Sequence, residues 1–122
     1  MNERDAERIL EELVAKEKPE DVKKVDEQFA RRMERLKGDK KAPAGMLDQA
    51  QVLWKMLKAP DSVVPFKSKA WIMAALSYLV SPLDIIPDKL GYAGHLDDAM
   101  IIRIVYNRLH DEIDAFRAHR AD

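Results

Sequence analysis

Four aspartates, Asp84, Asp88, Asp97 and Asp98, sit with two prolines in the most apolar stretch of the chain, LSYLVSPLDIIPDKLGYAGHLDDAM from Leu76 to Met100. Carboxylates beside so much apolar surface need partners, because an unpaired buried charge costs several kcal/mol. As hard oxygen donors they suit Mg2+, Mn2+ or Ca2+, provided the turn between two helices folds back and brings two or three of them together. Asp84 and Asp88 are spaced to share one face of a helical turn. The pattern is not that of an EF-hand: counting from Asp84, Ile86 falls where a second ligand belongs and His95 where the bidentate glutamate belongs. Capping and ion pairing are the plainer use of the same groups, since each aspartate adjoins a proline, a turn or a helix start, with Arg103 and Arg108 as candidate partners. His95 would add an imidazole to Asp97 and Asp98, and His110 stands one turn before Asp114. Neither histidine has a recognisable zinc spacing, so a hydrogen-bonded or solvated ring is expected at both. Ser62, Ser68, Ser77 and Ser81 lack a glycine-flanked elbow, and no glycine-rich phosphate loop is present, so no catalytic residue and no organic cofactor is expected.

The run Ser81-Pro82-Leu83-Asp84-Ile85-Ile86-Pro87-Asp88, followed by Gly91-Tyr92, Gly94 and Leu96-Asp97-Asp98-Ala99, resembles the signature of the YkvA-like domain of unknown function. The likeness extends from about Leu53 to Val105. It implies a small helical module with no established catalytic residues, some of whose members sit within membrane proteins. It also marks Ser81, Pro82, Asp84, Pro87, Asp88, Gly94, Asp97 and Asp98 as a structural motif. Lys89 before Leu90, and Ala93-Gly94-His95 after Tyr92, make this turn less apolar than is usual in the family and turn the expectation away from a membrane-embedded segment.

The elements that must position this segment all read as helices. Ile9, Leu10, Leu13 and Val14 share a face from about Arg4 to Lys16. Pro19 suits the first turn of a second helix with a stripe of Val22, Val25, Phe29, Met33 and Leu36, stopped at Gly38. Their outer faces alternate acids and bases, as solvated helices do. Gly38 to Gly45, GDKKAPAG, reads as a linker. A third helix carries Leu47, Ala50, Leu53, Trp54 and Leu57 and ends before Pro60. The next begins at Pro65, passes Lys67 and Lys69, and becomes apolar on nearly all sides through Trp71 to Leu76, which places it in the middle of a bundle. The last helix is expected to start at Asp97 or Asp98 and to bury Ile101, Ile104, Val105, Leu109, Ile113 and Phe116. Trp54, Trp71, Tyr78 and Phe66 fall at or near apolar helical positions and are assigned to packing, while Tyr92 belongs to the turn.

The fold class is therefore all-α: a compact bundle of about five helices, with an N-terminal amphipathic hairpin and linker over residues 1–42 and a helical core over 43–122. A chain of 122 residues with 47% hydrophobic side chains is the size of one domain. Its 21 basic and 22 acidic residues leave a net charge of −1, which gives no global attraction for nucleic acid. The absence of cysteine excludes disulfides and thiolate sites and fits a cytoplasmic location; no signal-like segment opens the chain. The apolar run from Ala70 to Val80 is shorter than the roughly 20 residues of a membrane-spanning helix. These readings point to a non-catalytic helical interaction or scaffold module. Its partner is expected to be another protein or a second copy held through the N-terminal stripes, because amphipathic helices of this length are marginal alone. A divalent-metal-binding protein centred on the aspartates, and an adaptor peripheral to a membrane, are the alternatives.

Overall fold

The structure is a computed structural model and describes residues 1–81 and 94–121. Helix α1, Glu3–Val14, is opened by a capping box in which Asn2 Oδ1 accepts the Asp5 amide at 2.8 Å and Asp5 Oδ2 accepts the Asn2 amide at 3.3 Å. Pro19–Asp21 forms a single 3₁₀ turn leading into α2, Val22–Lys37. Gly38 closes α2 in a right-handed conformation, with φ −85°, rather than the left-handed one common at helix ends. Helices α3, Ala44–Leu57, and α4, Phe66–Val80, each follow a proline at the cap position, Pro43 and Pro65, where a missing amide costs nothing.

The final helical segment is broken. Helix α5, His95–Arg108, and α6, His110–Ala121, are separated by Leu109, whose φ of −99° and ψ of 20° depart from helix geometry. The described residues thus hold six α-helices and no strand, an all-α bundle with one more helix than the periodicity suggests. No helix among them is long and apolar enough to cross a membrane.

Helix α4 lies at the centre. Ile72, Met73, Ala74, Ala75, Leu76, Tyr78 and Leu79 are fully buried, and α1, α2, α3 and α5 all pack against it. The N-terminal stripes are part of this core: Ala6, Ile9 and Leu10 of α1, and Val25, Phe29, Met33 and Leu36 of α2, are buried within the same chain. Burying a large apolar side chain is worth about 1.5–3 kcal/mol, so this packing outweighs the weak intrinsic stability of either helix. The stripes are thus covered within the chain, and no partner is needed to hide them. Likewise, the stretch expected as a loose linker is short: α3 already begins at Ala44, and Asp39 Oδ1 accepts the Lys41 amide at 2.9 Å.

Aromatic packing ties α2 to α3. The Phe29 and Trp54 rings meet edge to face with centroids 5.5 Å apart, and Trp54 Nε1 donates to Asp26 Oδ1 at 2.6 Å.

Candidate functional site

The segment rich in aspartate leaves α4 at Ser81 and rejoins the described chain at Gly94, so its two flanks can be built from their neighbours. At the exit of α4 the last carbonyls have no partner within the helix. Arg32, half-buried on α2, fills one of these positions: its Nε donates to the Leu79 carbonyl at 3.0 Å. Ser81 caps the helix, its amide donating to Ser77 O at 3.1 Å.

At the re-entry, Gly94 rather than an aspartate is the N-cap of α5. Its φ is +74°, the only positive value among the described residues, and its carbonyl accepts the amides of Asp97 and Asp98 at 3.1 and 3.2 Å. The expected helix start at Asp97 or Asp98 is therefore displaced upstream. A glycine adopts a conformation closed to other residues and caps the helix before an Asp cap is needed. Asp97 and Asp98 instead occupy the first turn, 3% and 0% exposed, where the positive end of the helix dipole favours their charge.

His95 links this turn to a distant part of the chain. Its Nδ1 lies 3.3 Å from Asp98 Oδ2, and its Nε2 lies 2.9 Å from Asp39 Oδ2 in the α2–α3 loop. The ring thus stands between two carboxylates, one at each nitrogen. The bond to His95, and after it the Lys41 amide, holds the Asp39 carboxyl below its ordinary value of 3.8. A hydrogen-bonded His95 was the expectation; Asp39 as its second partner carries no local signal, because the two residues are far apart in sequence. His110 faces Asp114 as its spacing suggests, with Nδ1 3.6 Å from Oδ2.

Of the predicted motif, Ser81, Gly94, Asp97 and Asp98 are placed at the two helix ends. Pro82, Asp84, Pro87 and Asp88 lie outside the described residues, as does Tyr92. Among the described residues, no group of three or more acidic or histidine side chains is arranged to hold a metal ion. Arg103 is exposed, and Arg108 lies over the Trp71 ring, 3.8 Å from its centroid, so Arg108 is engaged away from the aspartates.

One buried charge escapes a reading based on periodicity. Lys69, in the first turn of α4, is 4% exposed; its Nζ donates to the Ala59 carbonyl and to Asp61 Oδ1, the latter at 2.7 Å. A lysine just before the apolar run Trp71 to Leu76 was the available sign.

Residues 68–103, from Lys69's neighbourhood through most of α5, match the family model described as "Protein of unknown function (DUF1232)". The chain is 33% identical over 67 residues to a protein of Bacillus subtilis (strain 168) named "Uncharacterized membrane protein YkvA". That alignment covers 55% of this chain and 61% of the relative, so the chain spans somewhat under two thirds of the length of the protein it matches. Over this stretch the chain is thus similar to proteins of unknown function of the YkvA kind. No solved structure matches.

Proposed function

We propose that the chain is a non-catalytic helical interaction module whose N-terminal helix presents its outer edge to a protein partner, a second copy of the chain included. The observation that carries this reading is a shallow acidic groove of about 380 Å3 between α1 and α5. Glu3, Glu7 and Glu11 recur one turn apart along it, facing the stacked pair of Trp71 and Arg108. The half-buried or buried polar groups of the interior support the same reading, because Lys69, Arg32, Asp26 and His95 are spent on bonds that hold helices together. A row of glutamates beside an aromatic ring complements a helix bearing lysine or arginine.

A photo-crosslinking residue in place of Glu7, compared with one in place of the exposed Arg31 on α2, tests this in cells. A discrete adduct from position 7 that Glu3→Lys with Glu11→Lys abolishes, and none from position 31, is expected. Equal adducts from both positions, or none from either, would count against the module. Light scattering of the purified chain reports whether the partner is a second copy. A divalent ion on the aspartates is the competing assignment, and a rise in melting temperature with Mg2+, Mn2+ or Ca2+ would favour it: ligand at 100 times its dissociation constant adds about 2.7 kcal/mol.

A second reading, attachment to the surface of a membrane without crossing it, is supported by two observations together. The Bacillus relative is named a membrane protein, while no described helix of this chain is long and apolar enough to span a bilayer.

A further inference from the structure

A net charge of −1 does not exclude a local patch of one sign. Between α3, the loop that follows it and α6 runs a groove of about 510 Å3, within the roughly 300–1,000 Å3 of small-molecule sites. Lys55, Lys58 and His119 line it together with the apolar Pro60, Val63 and Phe116. An adjoining hollow of about 210 Å3 shares Lys55 and Phe116 and adds Val52 and Arg117. Among the described residues, no carboxylate lines either one. Asp61, in the same loop, is bonded to Lys69.

Two of these cations are held in place. Lys58 Nζ lies 4.1 Å from the centroid of the Trp54 ring, and Arg117 Nη2 donates to Tyr106 Oη at 3.1 Å. Both lose part of their freedom in these contacts, so less entropy is lost when an anion arrives. Fixed cations around apolar side chains complement a molecule that is anionic at one end and apolar immediately behind it. An inorganic anion would leave Pro60 and Val63 unused, and a neutral apolar ligand would have to strip water from the lysines. Three basic side chains, Lys55, Lys58 and Arg117, along two joined hollows also exceed what one monoanion needs, which fits a surface that carries many anionic heads.

We propose that this groove takes the phosphate head and the first part of the acyl chain of an acidic phospholipid, so that the face formed by α3 and α6 lies on an anionic membrane surface. The assignment rests on the peripheral-membrane reading and names its lipid and its contact face.

The test uses the full chain and vesicles of phosphatidylglycerol in phosphatidylcholine, against phosphatidylcholine alone, at fixed ionic strength. Binding to the anionic vesicles only is expected. Lys55→Gln with Lys58→Gln, at exposed positions, should weaken it about 25-fold, roughly fivefold for each cation removed. Val63→Asp should weaken it as well, with circular dichroism showing that each variant is folded. Lys23→Gln with Lys24→Gln, the same change of charge at exposed positions of α2, should change binding less than about twofold, since neither residue lines the groove or its adjoining hollow. An equal loss from the α2 pair would overturn the groove and leave the peripheral reading standing. Failure to bind phosphatidylglycerol vesicles would overturn both. Binding of monomeric short-chain phosphatidylglycerol without binding of vesicles would overturn the placement on a membrane surface.

Discussion

Two basic side chains serve the two ends of α4 against opposite backgrounds. Arg32 meets the exit of the helix, where the dipole is negative and unpaired carbonyls await donors, and its bond to Leu79 O satisfies both demands at once. Lys69 is buried at the entrance, where the dipole disfavours a cation, and only its bonds to Ala59 O and Asp61 offset that cost and the loss of water. The same charge is thus an addition at one end and a compensated burden at the other. Removal should hurt more where the surroundings have been built around the charge, because partners are then left without it.

The largest effect is expected from Lys69→Met, which keeps most of the buried stem but removes the donor from a backbone carbonyl and from Asp61. A loss of about 2–3 kcal/mol by urea denaturation follows from the strength of bonds to charged groups. Arg32→Leu should cost less, about 1–2 kcal/mol, because the Leu79 carbonyl sits at a helix end that water can reach in its place. If Arg32→Leu proved the more damaging, the contrast between the two ends would be reversed. Asp61→Asn comes next and should cost under about 1 kcal/mol: the Asp61 side chain is 71% exposed, and an exposed partner contributes little even to a buried lysine.

The smallest effects concern carboxylates away from α4, and they separate by sign. Asp39 is held below 3.8 by His95, so the folded state binds its proton less readily than the unfolded chain does. Its contribution is present above 3.8 and is lost as the pH falls through the lower folded value, and the stability difference between wild type and Asp39→Asn should close over that window. Glu17 is pushed above 4.5, first by burial and then by the charge of Asp21. Its contribution is present below 4.5 and lost as the pH rises through the raised value, so Glu17→Gln should raise the melting temperature slightly at neutral pH and not in acid.

Much of this architecture was legible because helices advertise themselves by period. The stripes of α1, α2 and α3 face the core where the spacing places them, with Leu13, Val14, Val22, Leu47 and Trp54 only partly buried at its edge, and α4 is covered on nearly every side, as its composition requires. What period does not reveal is which surface covers which stripe. The missing step was nevertheless available: a helix apolar all round, such as α4, needs several neighbours, and α1 and α2 supply two of them. The break at Leu109 was not legible, since no proline or glycine marks it and the apolar positions continue through it. The start of α5 is not set by the preference for Asp at N-caps, because Gly94 reaches a backbone conformation that lets it cap the helix upstream of Asp97. Around the candidate site, the sequence singled out the aspartates and His95. Arg32, Asp39 and Lys69 were left out because their partners come from remote turns that only the tertiary fold brings near.

Gly94 has a further consequence, one of handedness. Its φ of +74° and ψ of −140° are the mirror image of −74° and +140°, close to the polyproline II values of an ordinary L-residue. Nothing lies within 4 Å of where the β-carbon of an L-residue would stand, so the demand for glycine over an L-residue comes from backbone chirality and not from crowding. An L-alanine at this position would be strained, whereas a D-alanine introduced by chemical ligation would rest in a favoured well. By restricting the unfolded chain, the D-residue should stabilise the protein by about 0.4–1 kcal/mol. The turn into α5 is in this sense a right-handed fold's single described request for a residue of the opposite hand.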